Sequence, residues 1–348
     1  MKYRLTKKLN KLTITIMSCI LFLCACFVGT FFFVGEKSVF AVNWSIAPSD
    51  TTFLTTGEGT VQKPYKIATA AQLATVSKNI ATLKTKSFEL VSNLDVSNYE
   101  WVPIGTLSNA YSGTFNGKGY AISGLRIDES SNYSYAGLFG YLSSATIKNL
   151  TLVAEKNNYV VSKTNTLSSA AGALAGYSEY STLDNILNFN VDVYSLSKAA
   201  SSYAGGIVGQ AYFTTFNRVV NLGDVNSLTG NALSNSYAGG IARYTYMGRL
   251  DYTRNDGFID GHYSKLFVGL QQLRAYDATP QEPDPKVFTT KIYAGGNVGY
   301  SESNISLSYN TNSVNAGIVA QSLQVPNGYA YKTEDSFPVF PEKMIMQL

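Results

Sequence analysis

Apolar positions in this chain come in short runs, broken every few residues by Gly, Asn, Asp or Ser. Four runs carry one small-residue motif: Tyr135-Ala-Gly-Leu-Phe-Gly140, Tyr203-Ala-Gly-Gly-Ile-Val-Gly209, Tyr237-Ala-Gly-Gly-Ile-Ala-Arg243 and Tyr293-Ala-Gly-Gly-Asn-Val-Gly299. A fifth, Ala171-Gly-Ala-Leu-Ala-Gly176, lies between the first two. Their last positions, 140, 176, 209, 243 and 299, are 36, 33, 34 and 56 residues apart. A second strand-like run follows each motif, at 146–152, 183–189, 216–222, 250–255 and 305–309. A third, shorter run is clearest at Val191-Asp-Val193, Asp224-Val225 and Ser313-Val314. Such punctuation predicts turns, because Gly and Asn reach positive φ at low cost.

A fixed period of this length signals a solenoid. One coil of three short strands cannot bury its apolar side chains alone. Stacked in parallel, the coils let Ile207, Val208, Val219, Val220 and Val225 point into a continuous column. Ala204, Gly205 and Gly206 suit a tight corner where neighbouring backbones approach closely. The expected fold is therefore all-β, a parallel β-helix of three-strand coils. Its Gly-rich motifs read as coil geometry, since no G-x-G-x-x-G or G-K-[ST] element joins a strand to a helix as phosphate binding requires. Tyr135, Tyr203, Tyr237 and Tyr293 open equivalent repeats and are expected to stack as a ladder about one strand spacing, roughly 4.8 Å, apart.

The segment ahead of the repeats has a different period. Thr69-Ala-Ala-Gln72 has the capping-box form, and Leu73, Val76, Ile80 and Leu83 follow at helical spacing. A helix here would cover the open edge of the first coil. Phe337-Pro-Val-Phe340 suits a closing edge strand or cap at the other end. The expected division is 1–41 as a leader, 42–87 as a lead-in with the capping helix, 88–325 as the β-helix and 326–348 as a C-terminal cap or tail. The long interval places an insertion at about 249–291.

The leader follows from charge. Lys2, Arg4, Lys7, Lys8 and Lys11 precede an apolar stretch over 12–35, and Val39-Phe-Ala41 puts small residues at −3 and −1 of a cut between Ala41 and Val42. The apolar stretch also approaches the ~20 residues that span a bilayer, so an uncleaved anchor is the alternative. Leu23-Cys-Ala-Cys26 is a weak lipobox, because strongly apolar residues follow the cysteine. In each case residues 42–348 are expected outside the cell, secreted or at the cell surface, with the membrane reached only through the N-terminal segment. Of the formal net charge of +4, the first 41 residues contribute six Lys/Arg against one Glu, leaving 21 basic and 22 acidic residues. Nothing there attracts nucleic acid. All three cysteines (Cys19, Cys24, Cys26) lie in the leader, and His262 is the one histidine, so the body offers neither a disulfide framework, a thiolate nucleophile nor a multi-His metal centre.

Gly57-Glu-Gly-Thr60, Pro64-Tyr-Lys-Ile67, Thr69-Ala-Ala-Gln-Leu73, Trp101-Val-Pro-Ile-Gly105 and Ser112-Gly-Thr-Phe-Asn-Gly-Lys-Gly119 resemble the lead-in of GLUG-motif proteins. The Tyr-Ala-Gly-Gly-Ile-Val-Gly repeats resemble the GLUG motif itself, over roughly residues 57–325. The resemblance implies a right-handed β-helix in bacterial exported or surface proteins with adhesive or wall-associated roles. Similar modules flank the peptidase of IgA-cleaving metalloproteases, whose H-E-x-x-H zinc motif is missing from this sequence. Arg243 stands where the motif closes on Gly, and Asn297 where Ile or Leu is usual. The family defines no catalytic residues to carry over.

Candidate chemistry concentrates in the 249–291 segment, since solenoid insertions gather on one face, frequently the binding face. Tyr252, Asp256, Asp260, His262, Tyr263 and Tyr276 are the candidate ligand-binding residues, the rings for stacking and the polar groups for hydrogen bonds. The plain alternative is a solvated loop packing its own aromatics on the solenoid. Asn255-Asp-Gly257 with Asp260 hints at calcium, but Arg254 falls where an EF-hand loop needs an oxygen ligand. Ser195-Leu-Ser-Lys198 matches S-x-x-K without its partner motifs. No cofactor, metal site or catalytic residue is assigned. The expectation is an exported, non-catalytic module binding a glycan or protein at the cell surface. A β-helix polysaccharide lyase or hydrolase using the 249–291 segment is the alternative, and a structural spacer the third reading.

Overall fold

The computed structural model describes residues 49–154, 158–230, 234–263, 292–306, 308–311 and 314–316, all within the compact unit Val42–Leu348. The leader, residues 264–291, Tyr276 among them, and the expected C-terminal cap lie outside the described residues.

Among the described residues, strands stack in three parallel sheets, one of 14 strands and two of five. One five-stranded sheet joins Tyr135–Ala136, Ser169–Gly172, Ser202–Gly205, Ser236–Gly239 and Ile292–Gly295. The other joins Tyr159–Thr164, Asp192–Ser197, Val225–Thr229, Ile259–Tyr263 and Val314–Ala316. The broad sheet takes two strands from a coil, such as Val208–Tyr212 and Thr215–Asn221, which merge into Ala242–Asn255 in the fourth coil. The chain is a β-solenoid of about four turns. Each Gly-rich motif is a corner: Ser202–Gly205 belongs to one sheet, and Val208 opens the next.

In-register pairing turns the sequence period into columns. Ile147, Leu183, Phe216 and Leu250 align along the broad sheet, as do Val160, Val193, Val225 and Ile259 along the third, and every one is fully buried. Of the expected inward set, Ile207, Val208, Val219 and Val225 are fully buried in the core, whereas Val220, though buried, lies outside the core cluster between fully buried Val219 and Asn221. Fully burying such a side chain stabilises by about 1.5–3 kcal/mol. Ala136, Ala171, Ala204 and Ala238 form the corner column, where small size lets two sheets meet.

Polar side chains also stack inside. Asn188, Asn221, Asn255 and Asn310 form a ladder, each amide nitrogen donating to the next amide oxygen at 2.7, 2.7 and 2.6 Å. A Cβ at Gly206 or Gly240 would overlap the amide of Asn221 or Asn255, so the ladder requires the second glycine at these two corners. Between the two five-stranded sheets, Ser195 bonds Ser169 at 2.8 Å, and Ser227 bonds Ser202 and Ser236 at 3.0 and 2.9 Å. Ser195 of the S-x-x-K match is thus a fully buried strand residue inside this hydroxyl network.

The helix Ala70–Lys78, with a further turn at Ile80–Leu83, forms where its period and cap predict. Thr69 Oγ1 accepts from the Gln72 amide at 3.2 Å, and Gln72 Oε1 accepts from the Ala68 amide at 2.8 Å. Leu73 and Val76 join the core cluster of Phe53, Ile67, Phe88 and Trp101 at the start of the column.

Candidate functional site

The outer face of the broad sheet is aromatic. Tyr141, Tyr177, Gln210, Tyr244 and Tyr300 align in one column, and Ser143, Glu179, Tyr212, Tyr246 and Glu302 in the next outward-facing one. The rings cross between the two columns: Tyr141–Tyr177 stack at 4.4 Å, Tyr177–Tyr212 at 5.4 Å, and Tyr212 meets Tyr244 at 5.2 Å. Alternation along each strand sends every second side chain outward, and parallel register repeats that placement coil after coil. An offset-stacked series of this kind follows.

The expected ladder of corner tyrosines flanks this series, with one interruption. Tyr135, Ala170, Tyr203, Tyr237 and Tyr293 align, so Ala170 splits the column. Tyr203 and Tyr237 lie 5.5 Å apart, and Tyr135 packs edge-on against Tyr141 and Tyr177 at 5.7 and 5.6 Å. The other border is a line of left-handed residues, Ser144, Tyr180, Phe213 and Met247, with φ of 55°, 50°, 50° and 48°. Tyr180 and Phe213 stack at 4.7 Å with 7° between their planes, and both are exposed, as is Met247. The sequence signal for this border was the aromatic one place after the Glu179 and Tyr212 column, which does not follow strand alternation.

Burial pushes the phenols up. Tyr141 is pushed up to about 12, first by desolvation and then by Glu179, which accepts from Ser143 at 2.9 Å. Desolvation raises Tyr135, Tyr177 and Tyr212 as well. The phenols of this face are therefore neutral at physiological pH and edge it with hydroxyls. Because the rings stack on one another, such a surface presents ring edges and donor–acceptor hydroxyls to a sugar.

The predicted site residues are spread over coil strands. Arg249–Asn255 pairs in register with Thr215–Asn221, and Ile259–Tyr263 with Val225–Thr229, so the residues that lengthen the last interval fall within 264–291. Tyr252 is 37% exposed with φ of 52°, in a second left-handed column with Asn149, Asn185 and Arg218. Asp256 is held by Arg254 through Nε at 2.8 Å and a second guanidinium contact, and accepts from Thr311 at 2.5 Å. Asp260 is buried, at 2% exposure. His262 and Tyr263 occupy register positions opposite Leu228 and Thr229. Among the described residues no group of three or more His, Cys, Asp or Glu is placed to hold a metal. Arg254, moreover, neutralises the carboxylate that the calcium reading would need.

No family model matches the chain. It is 32% identical over 155 residues to a protein named as a Gly-rich membrane protein from Evansella cellulosilytica, covering 42% of this chain and 17% of that one. It is 32% identical over 145 residues to halomucin from Haloquadratum walsbyi, covering 38% of this chain and 2% of that one. The chain thus spans a small part of the length of either relative. A solved structure, titled as an immunoglobulin A1 protease from Bacteroides ovatus, aligns with a TM-score of 0.44 at 17% identity, covering 73% of this chain and 68% of that one.

Proposed function

We propose that this is an exported binding module of the GLUG type whose tyrosine face holds an extended polysaccharide at the cell surface. The observation that carries the reading is the continuous series Tyr141, Tyr177, Tyr212 and Tyr244, with ring spacings of 4.4–5.4 Å over four coils. A protein core does not need aromatic rings on its outer face, whereas a glycan gains from each ring it covers. The two relatives' names, a Gly-rich membrane protein and a halomucin, accord with a surface setting. Among the described residues no helix is long and apolar enough to cross a membrane.

The test is binding of the purified chain to arrayed cell-surface and extracellular polysaccharides. Tyr177→Ala and Tyr212→Ala are each expected to weaken binding by about 1–3 kcal/mol, as for a stacked hot-spot ring, with the β-rich circular dichroism spectrum retained. Unchanged binding by the folded double variant would remove the tyrosine face as the site. Release of shortened saccharides from a bound polysaccharide would replace the binding reading with an enzymatic one.

A further inference from the structure

The fourth coil breaks a column of glycines. Gly140, Gly176 and Gly209 align with Arg243, and Gly299 resumes in the next coil. At Gly176 an added Cβ would lie 2.7 Å from backbone atoms of Tyr135 and Ala136, and at Gly209 2.8 Å from the Ala171 nitrogen. This is the place where the broad sheet closes against the corner strand, and a long side chain here must run along that strand.

Arg243 does so. Its guanidinium carbon rests 3.6 Å from the ring centres of both Tyr203 and Tyr237 and 5.0 Å from that of Tyr244. The residue is only 6% exposed, its Nε has no hydrogen-bond partner, and none of the ion pairs among the described residues includes it. Ring faces attract a cation, and the Tyr237 side chain also hydrogen-bonds the guanidinium, but neither supplies an anion. Arginine keeps its proton at every physiological pH, so among the described residues its guanidinium is a buried positive charge without a counter-anion. Burial pushes its pKa down, and the neighbouring tyrosines oppose that shift.

We propose that Arg243 makes the tyrosine face selective for acidic polysaccharides, its guanidinium pairing with a uronic acid carboxylate while the flanking tyrosines carry the sugar rings. The inference rests on the reading of this face as a glycan site. A carboxylate matches the guanidinium fork, and the cation has already lost the hydration an incoming anion would otherwise displace. Neutral sugars would use the rings but leave the charge unanswered.

Calorimetric titration of the full chain with galacturonate and glucuronate oligosaccharides, and with their carboxyl-reduced neutral counterparts, tests this. The wild type is expected to bind at least one acidic oligosaccharide tenfold or more tightly than its neutral counterpart, with the difference shrinking as salt is raised. Arg243→Gly, which restores the residue of the other coils, and Arg243→Gln, which keeps bulk without charge, should both erase the preference for the acidic form. Equal wild-type affinity for acidic and neutral forms, or an acidic preference that survives in either folded variant, would overturn the role of Arg243 and leave the glycan site standing. Binding of neither form by the folded wild type would overturn both.

Discussion

Asn221 illustrates how much a single side chain does inside a solenoid. Its amide nitrogen donates to Gly223 O and to Asn255, each at 2.7 Å, and its oxygen accepts from Asn188. Replacing it with Leu leaves buried partners on both neighbouring coils unsatisfied, and should lower unfolding stability by about 1–3 kcal/mol in a denaturant titration. Val208→Asp should cost more, because an unpaired carboxylate would enter a fully buried column. Tyr252 points the other way. Its left-handed φ of 52° is natural for the Asn149 and Asn185 of its column and unfavourable for Tyr, so Tyr252→Asn should raise the melting temperature, by about 1 kcal/mol of stability. The tyrosines add a pH dependence. An unfolded tyrosine titrates near 10 and folded Tyr141 near 12, so above pH 10 the unfolded chain binds fewer protons. This stabilisation is complete below about pH 10 and is lost as pH climbs towards 12; a flat stability profile across that window would contradict the assignment. The sequence showed the inward valines plainly, since apolar residues recur at one phase of each repeat. It hid the asparagine ladder, because Asn also marks exposed turns, and only register shows that these four share one interior column.

Elements were legible wherever a repeat could be compared with its neighbours. The helix was readable from the Thr69–Gln72 cap and the spacing of Leu73, Val76, Ile80 and Leu83, and Thr69→Ala should cost about 1 kcal/mol through loss of that cap. The limits of the long insertion were less readable, for a physical reason. Residues 249–260 carry Arg, Asp and Tyr between buried apolar residues such as Leu250 and Ile259, and bury polar Asp251 and Asp260 beside them, so their composition resembles a loop. Thr229 and Ser236 pair with Tyr263 and Ile292, so the 28 residues 264–291 replace a connection that is six residues long, 230–235, in the preceding coil. Replacing 264–291 with a six-residue Gly/Ser link should therefore preserve the β-rich spectrum and cooperative unfolding, because each coil leans mainly on its neighbours. Retained polysaccharide binding in that variant would support the tyrosine face as the site; loss of binding in a folded variant would move the site to the insertion.

For the whole molecule, the same register that builds the core also builds the surface. Stacking places equivalent outward positions about 4.8 Å apart, so a tyrosine written once per repeat becomes a continuous aromatic strip without any residue being moved by a partner. The corner tyrosines revealed half of that strip in the sequence. The other half, Tyr141, Tyr177, Tyr212 and Tyr244, was hidden because Gln210 breaks its column in the third coil, where Tyr212 of the next column carries the series on. The most direct test is a crystal structure of the chain with a bound oligosaccharide selected by array. Sugar rings lying across Tyr177, Tyr212 and Tyr244, with an acidic group at Arg243, are the predicted result. Saccharide density on any other surface, with those tyrosines bare, would contradict the account.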